Sequence, residues 1–288
     1  MKRKKHDLVD LPDQFRNILG YTRNQIRHFG DAVFLPDFAF DMVQLMHMVD
    51  FGDEAKNSIA KDFRKLLDES IKDSKDYFSE KLDLIQNKRE EYMQSLYAQG
   101  FVYLWAVLES YIKQLLATLI DFDKEILEKQ AFSSVKMPMS EFFELDDDER
   151  PLFLANLIIT SLSSGKGAKY GIDKFESYLK AFELDGPLND KDKQNILMLH
   201  HFRNCIVHND SVVDARLSKN CGWLQYKTGD RLIIKEENFR GCEDSVLVYI
   251  HEIYYRVHKL LGAPDSTLKA LREILDGIIN RHNKEGEK

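Results

Sequence analysis

An all-α fold is predicted by three features of this 288-residue chain. Apolar residues recur at helical spacing along most of its length, one stretch of nearly fifty residues has that character with no proline, and the breaks carry Gly, Pro, Asn and Asp. Hydrophobic residues make up 43% and charged residues 31%, a balance that can bury a real core and leaves disorder a minor feature. The length suits one large domain or two small ones.

The pattern Phe38, Met42, Leu45 and Met46 predicts a short amphipathic helix from Asp37 to Met48, and Phe51-Gly52-Asp53 breaks it with an N-cap candidate. From about Asp53 to Gln99 the chain is rich in Lys, Glu, Asp and Leu. Spaced apolar residues at Ile59, Phe63, Leu66, Leu67, Ile71, Phe78, Leu82 and Ile85 read as an extended helical arm or hairpin. No clean heptad holds through Ser74 to Glu80, so its charged face is read as solvated rather than as a coiled-coil seam.

Texture changes at Gly100. Phe101, Trp105, Leu108, Ile112, Leu115 and Leu119 form a dense stripe that predicts a core helix, with Glu109 at its edge, where a carboxylate needs a partner. A loop from Phe132 to Met139 and the acidic break Asp146-Asp147-Asp148 precede Leu152-Phe153-Leu154, where helices resume. Ser163-Ser164-Gly165-Lys166-Gly167 resembles half of a phosphate cradle. It lacks the Gly-x-x-x-x-Gly-Lys-Ser/Thr spacing and follows a helix rather than a strand, so it is read as an ordinary loop.

Leu188-Asn189-Asp190 starts another helix and Asn209-Asp210-Ser211 ends it. Trp223-Leu224-Gln225-Tyr226 and Leu232-Ile233-Ile234 flank Lys227-Thr228-Gly229-Asp230-Arg231, which predicts one small β-hairpin. A helix follows from about Glu243 to Leu261, with Val246, Ile250, Ile253, Val257 and Leu260 on one face. Gly262-Ala263-Pro264 separates it from a last helix, Ser266 to Arg281. The expected organisation is an N-terminal segment and long helical arm over 1–99, a helical domain over 100–262, and a C-terminal helix over 263–288 packing on it. No internal repeat and no low-complexity tract are visible.

A net charge of −7 removes any broad attraction for a nucleic-acid backbone, so such contact must be local. Cys205, Cys221 and Cys242 lack paired metal-ligand spacing and the density of a disulfide scaffold. Free thiols in a reducing compartment are expected. No apolar run approaches the roughly 20 residues a bilayer requires, and Lys2-Arg3-Lys4-Lys5 precedes no hydrophobic signal segment. A cytoplasmic protein without membrane contact is expected, with that basic tetrad simply solvated.

One segment carries chemistry. On the helix that begins at Leu188, Ile196, Leu199, Phe202, Ile206 and Val207 span an apolar arc, and Arg203 falls inside it. A guanidinium cannot shed its charge, so it requires a carboxylate, an anionic ligand, a partner surface or a route to solvent along its stem. Leu197, His201, Asn204 and His208 form a second line about 140° around the helix from Arg203. One helix alone would converge the arginine and histidine poorly, unless it unwinds near His208 or a symmetric copy supplies the missing half.

RNA cleavage needs a base for the ribose 2′-OH, an acid for the leaving oxygen and positive charge for the developing phosphorane. Histidine suits proton transfer near neutral pH, and the arginine fork matches phosphate oxygens. No metal or cofactor is called for.

Arg203-Asn204-Cys205-Ile206-Val207-His208, inside an apolar helix and preceded far upstream by Leu104-Trp105-Ala106-Val107-Leu108-Glu109-Ser110-Tyr111, resembles the HEPN superfamily over Gly100 to Leu261. The superfamily motif is Arg, a polar residue, three to five others, then His; Arg203, Asn204 and His208 match it. The resemblance implies a HEPN-like helical bundle with an N-terminal helical extension and the hairpin after the motif helix. It also implies a metal-independent endoribonuclease whose site forms across a homodimer, as in many toxin–antitoxin and antiviral systems. RNA would be the substrate, and an antitoxin or regulatory protein a further partner. Glu109 corresponds by this resemblance to an acidic residue that some members place opposite the motif arginine. The arm before Gly100 and the hairpin lie outside a minimal HEPN bundle.

Chance alone supplies roughly 0.4 Arg–His pairs at this one spacing in a chain of this composition, so context matters more than pattern. Arg23-Asn24-Gln25-Ile26-Arg27-His28 repeats the form but is expected to lack an apolar helix around it. A purely structural role is the competing reading: Arg203 paired with Glu109, and His208 facing the helix dipole. His201 can join the site or pack. Asn209, like Asn204, can orient the imidazole or the scissile phosphate. Cys205, mid-helix in apolar company, is core rather than nucleophile. The alternative functions are a non-catalytic HEPN-like module that binds a nucleotide, RNA or protein, and an adaptor working through the arm.

Overall fold

The computed structural model describes residues 13–28 and 61–285, apart from 130–131, 134 and 164–169, with side chains described within 13–28 and between 89 and 280. The helix expected between Asp37 and Met48, the start of the arm, the Lys2–Lys5 tetrad and most of the Ser163–Gly167 loop lie outside those residues. Helix α1 covers residues 13–28 and α2 Lys61–Phe122. Then come α3 (Met139–Glu144), α4 (Arg150–Ser163), α5 (Ile172–Ala181), α6 (Asp190–His208), α7 (Ala215–Asn220), α8 (Glu236–Leu260) and α9 (Asp265–Glu285). The protein is mostly helical, and no strand forms among the described residues.

The helix α2 contains 62 residues, which at 1.5 Å per residue makes a rod about 93 Å long. It runs without a break through Gly100, so the boundary expected there falls inside one helix. Gly100 is a packing position rather than a stop: a Cβ on it would lie 2.3 Å from Cε2 of Phe239. Beyond it, Phe101, Trp105, Leu108, Ile112, Leu115 and Leu119 are all buried, as their spacing predicts.

This half of α2 packs against α4, α6 and α8, while α6 also lies along α8, giving a helical bundle around one core. Phe101 meets Phe202 of α6 with ring centroids 5.1 Å apart, and the Tyr111 hydroxyl donates to the Ile250 carbonyl at 3.1 Å. Gln94 of α2 both donates to the Ile234 carbonyl and accepts from its N–H, each at 2.7 Å, which fastens the segment entering α8. On the opposite side Arg256 of α8 holds Glu176 of α5 at 2.8 Å and donates to the carbonyls of Leu184 and Pro187. Helix α9 packs on α8, burying Leu275 and placing Arg272 3.3 Å from Glu252.

The β-hairpin expected between Trp223 and Ile234 does not form. Gly222–Leu224 is a turn of 3-10 helix, and the stretch from Gln225 to Lys235 is irregular. Gln225 that follows takes a left-handed conformation, which bends the chain out of strand geometry. The segment instead folds back on the end of α6. An isolated antiparallel bridge joins Val212 to Arg231, Val213 N–H donates to the Asp230 carbonyl at 2.9 Å, and Leu232 N–H donates to the Ser211 carbonyl at 2.8 Å. Tyr226 and Ile233 do meet, through the tyrosine hydroxyl and the isoleucine carbonyl.

Candidate functional site

The helix α6 presents the residues singled out by their chemistry. Its start is set by Asn189, whose side chain accepts from Asp192 N–H at 2.9 Å, while Asp190 and Asp192 place negative charge at the positive end of the helix dipole. Its end comes at His208. Asn209 and Ser211 both donate backbone N–H to the Cys205 carbonyl at 3.0 Å, and Asp210 and Ser211 adopt positive φ values of 46° and 56°. The Asn209 side chain donates to the Val212 carbonyl at 2.7 Å, so it shapes this turn instead of reaching the motif. Arg231 then donates to the Asp210 carbonyl at 2.8 Å and closes the turn from the other strand of chain.

Ile196, Leu199 and Phe202 are buried, but the apolar arc ends sooner than its periodicity predicts: Ile206 is half-buried and Val207 is 45% exposed. Arg203 therefore lies half-buried at the rim of the core, with its guanidinium directed along the helix. Its Nη1 lies 3.1 Å from Oδ1 of Asn204 and 3.1 Å from Nε2 of the exposed His208. The expectation that one helix converges these groups poorly is overturned. The backbone stays helical through His208, and the long arginine stem spans the angle between the two faces.

Glu109 does not face Arg203. Its carboxylate accepts from Lys174 of α5 at 2.7 Å, and the Lys174 ammonium also lies 5.3 Å from the centre of the Trp105 ring. The arginine–glutamate pair considered from sequence is absent among the described residues, and Glu109 fixes α5 against α2 instead. His201 is buried and accepts from Asn220 of α7 at 3.1 Å, with burial holding its pKa below the usual histidine value. It packs rather than joins the motif. Cys205, Cys221 and Cys242 are buried free thiols, and burial pushes each of them up, Cys221 to about 12.

The residue that sequence reasoning missed is His200. Its Nε2 accepts from Nδ2 of Asn204 at 3.0 Å, and its ring stands edge-on to Trp105 with centroids 4.9 Å apart. Tyr170 and His201 complete the ring's surroundings at 5.6 and 5.1 Å. Burial, together with repulsion from a second charge at His201 and from the cations Lys174, Arg203 and Arg216, lowers its pKa to about 3. A signal was present: His200 stands four residues before Asn204, the spacing at which helix side chains meet.

The assembled cluster is thus a chain of hydrogen bonds, His200–Asn204–Arg203–His208, that runs from the core to the surface. Because a guanidinium only donates, Arg203 contacts His208 as a hydrogen bond only while Nε2 of that ring carries its lone pair. The cluster can hold an anion on Arg203 and move a proton at Nε2 of His208. The upstream look-alike is different. It is helical, contrary to expectation, with Ile26 buried on α1, yet Asn24 and His28 are exposed and Nε of the half-buried Arg23 has no hydrogen-bond partner among the described residues.

No protein-family model, curated protein or solved structure matches this chain. No helix among the described residues is long and apolar enough to cross a membrane.

Proposed function

We propose that the protein is a metal-independent endoribonuclease of HEPN type, acting as a homodimer in toxin–antitoxin or antiviral defence, and that Arg203, Asn204 and His208 carry the reaction. The observation that supports this most is the 3.1 Å contact between Nη1 of Arg203 and Nε2 of His208, which puts an anion binder and a proton carrier within reach of one phosphodiester. Positive charge is also concentrated here, since Arg203, Arg216 and Lys174 all act on His200, although the chain as a whole is negative.

Substrate phosphate draws the guanidinium away from Nε2 and frees its lone pair. The imidazole then takes the proton of a ribose 2′-OH, O2′ attacks the adjacent phosphorus, and the bond to the 5′ oxygen breaks. That oxygen takes a proton from the protonated His208 of a second copy, leaving a 2′,3′-cyclic phosphate and a 5′-hydroxyl. Arg203 offsets the charge that develops on the non-bridging oxygens. The arginine's two existing partners also suit a module that binds RNA or a nucleotide without turnover.

Incubating wild type and His208→Ala with single-stranded RNA in EDTA separates these readings. Cleavage by wild type alone, with cyclic phosphate ends, is the expected result. RNA binding without cleavage by either protein sinks the nuclease and leaves the binding module.

A further inference from the structure

We propose that His200 is a positioning residue for this cluster: by accepting the Asn204 side-chain N–H, it turns the Asn204 carbonyl oxygen toward Arg203 and so aims the guanidinium at His208. The inference rests on reading Arg203 and His208 as the reactive pair.

The polarity of the chain follows from one residue. Arg203 has donors and no acceptor, so the atom of Asn204 that faces it at 3.1 Å is the oxygen. The amide nitrogen of Asn204 must then point the other way, toward Nε2 of His200 at 3.0 Å. That nitrogen can accept only with its lone pair free, which places the ring proton on Nδ1. Nδ1 is buried and has no hydrogen-bond partner among the described residues. A histidine held only by its own packing would be expected to pair that donor; here the donor stays orphaned because the opposite tautomer would set donor against donor at Asn204.

The surroundings keep the ring in this form. From α6 it meets His201 and Arg203, from α5 Lys174, from α7 Arg216, and from α2 the Trp105 ring, with Tyr170 closing the side before α5. Among the described residues every charged group acting on it is cationic, and Glu109, the carboxylate on α2 that bonds Lys174, is thereby engaged. Protonation of His200 would turn its acceptor into a donor and force the Asn204 amide over, so that an N–H rather than an oxygen faced Arg203.

The test uses the full chain and two variants. His200→Phe keeps an aromatic ring against Trp105 and removes the acceptor, whereas His200→Gln keeps an acceptor within reach of Asn204. Long-range proton–nitrogen NMR of wild type is expected to show His200 as the Nδ1–H tautomer, neutral from pH 7 down to about 4.5. An Nε2–H tautomer, or protonation near the usual histidine value, overturns the proposal. His200→Phe is expected to shift the His208 ring signals and to lower kcat for RNA cleavage about tenfold to a hundredfold with KM near wild type, and His200→Gln to restore most of both. Equal effects of Phe and Gln on the His208 signals, at matched thermal stability, also overturn it. If wild type cleaves no RNA, the nuclease reading fails by itself, while the tautomer and the His208 response still decide whether His200 positions the cluster.

Discussion

Arg203 reaches His208 across the surface of its own helix, Nη1 to Nε2 at 3.1 Å, although the two residues leave the helix axis about 140° apart. The same nitrogen also meets the Asn204 oxygen, and this double engagement uses the length of the arginine stem and the two N–H bonds of one planar guanidinium nitrogen.

Arg203→Lys should therefore fail as a conservative change. An ammonium is a point charge on a shorter reach, and RNA cleavage is expected to fall about a hundredfold to a thousandfold. His208→Ala should remove about a hundredfold to ten-thousandfold while leaving stability within about 0.5 kcal/mol, because the ring is exposed. Cleavage assays in EDTA and thermal unfolding of each variant check both; a fully active Arg203→Lys protein sinks the phosphate-clamp role.

Gly100→Ala should destabilise the bundle despite improving helix propensity. Alanine gains about 1 kcal/mol in a helix interior, but its Cβ would stand 2.3 Å from the buried Phe239 ring, and overpacking of that kind costs about 1–3 kcal/mol. The denaturant midpoint should drop, and Gly100→Ala with Phe239→Leu should recover part of the loss. A raised midpoint in the single variant would show that the ring yields freely.

Arg256→Ala should be among the most damaging substitutions outside the motif. It leaves the Glu176 carboxylate and the Leu184 and Pro187 carbonyls without their buried donor, and breaking one side of such a pair costs about 3–5 kcal/mol. Little of this stability should respond to salt, since the pair is screened poorly where it lies. Thermal unfolding at low and high ionic strength measures both effects, and a loss below about 1 kcal/mol would mark the network as dispensable.

Stability should decline in mild acid. His200, His201, His251 and His258 all have pKa values held down by burial in the folded protein, His200 to about 3, so the unfolded chain binds more protons once pH drops below about 6.5. The stability is fully present above that point and is lost as pH falls toward the folded values. Urea midpoints at pH 7 and pH 4.5 should differ, and His200→Gln should narrow the difference. An unchanged difference in that variant would show that His200 titrates as freely folded as unfolded.

Much of the fold could be read from local chemistry. Asn189 and Asn209 bracket α6 because each carries a short polar side chain suited to a helix terminus, and the Phe101-to-Leu119 stripe is buried because its period matches the helix. What could not be read depends on partners distant in sequence. Whether Gly100 ends a helix or admits a ring is decided by Phe239, and whether Glu109 serves Arg203 or Lys174 is decided by where α5 docks. The turn residues around Gly229 look the same for a hairpin and for the irregular return found here; the left-handed Gln225 and the pairing of Val212 with Arg231 make the difference. His200 is hard to read for a related reason: the helix line through Asn204 carries His201, while Asn204 turns its amide to the neighbour one full turn back.

The four linked groups from His200 to His208 occupy a span of nine consecutive residues on one polypeptide, so each copy owns a whole set. Genetic complementation then takes a definite form. Co-expressing a copy crippled at the arginine with one crippled at the terminal imidazole yields no repaired pair, and, on the proposed two-copy reaction, a surplus of the imidazole-less gene silences the intact one.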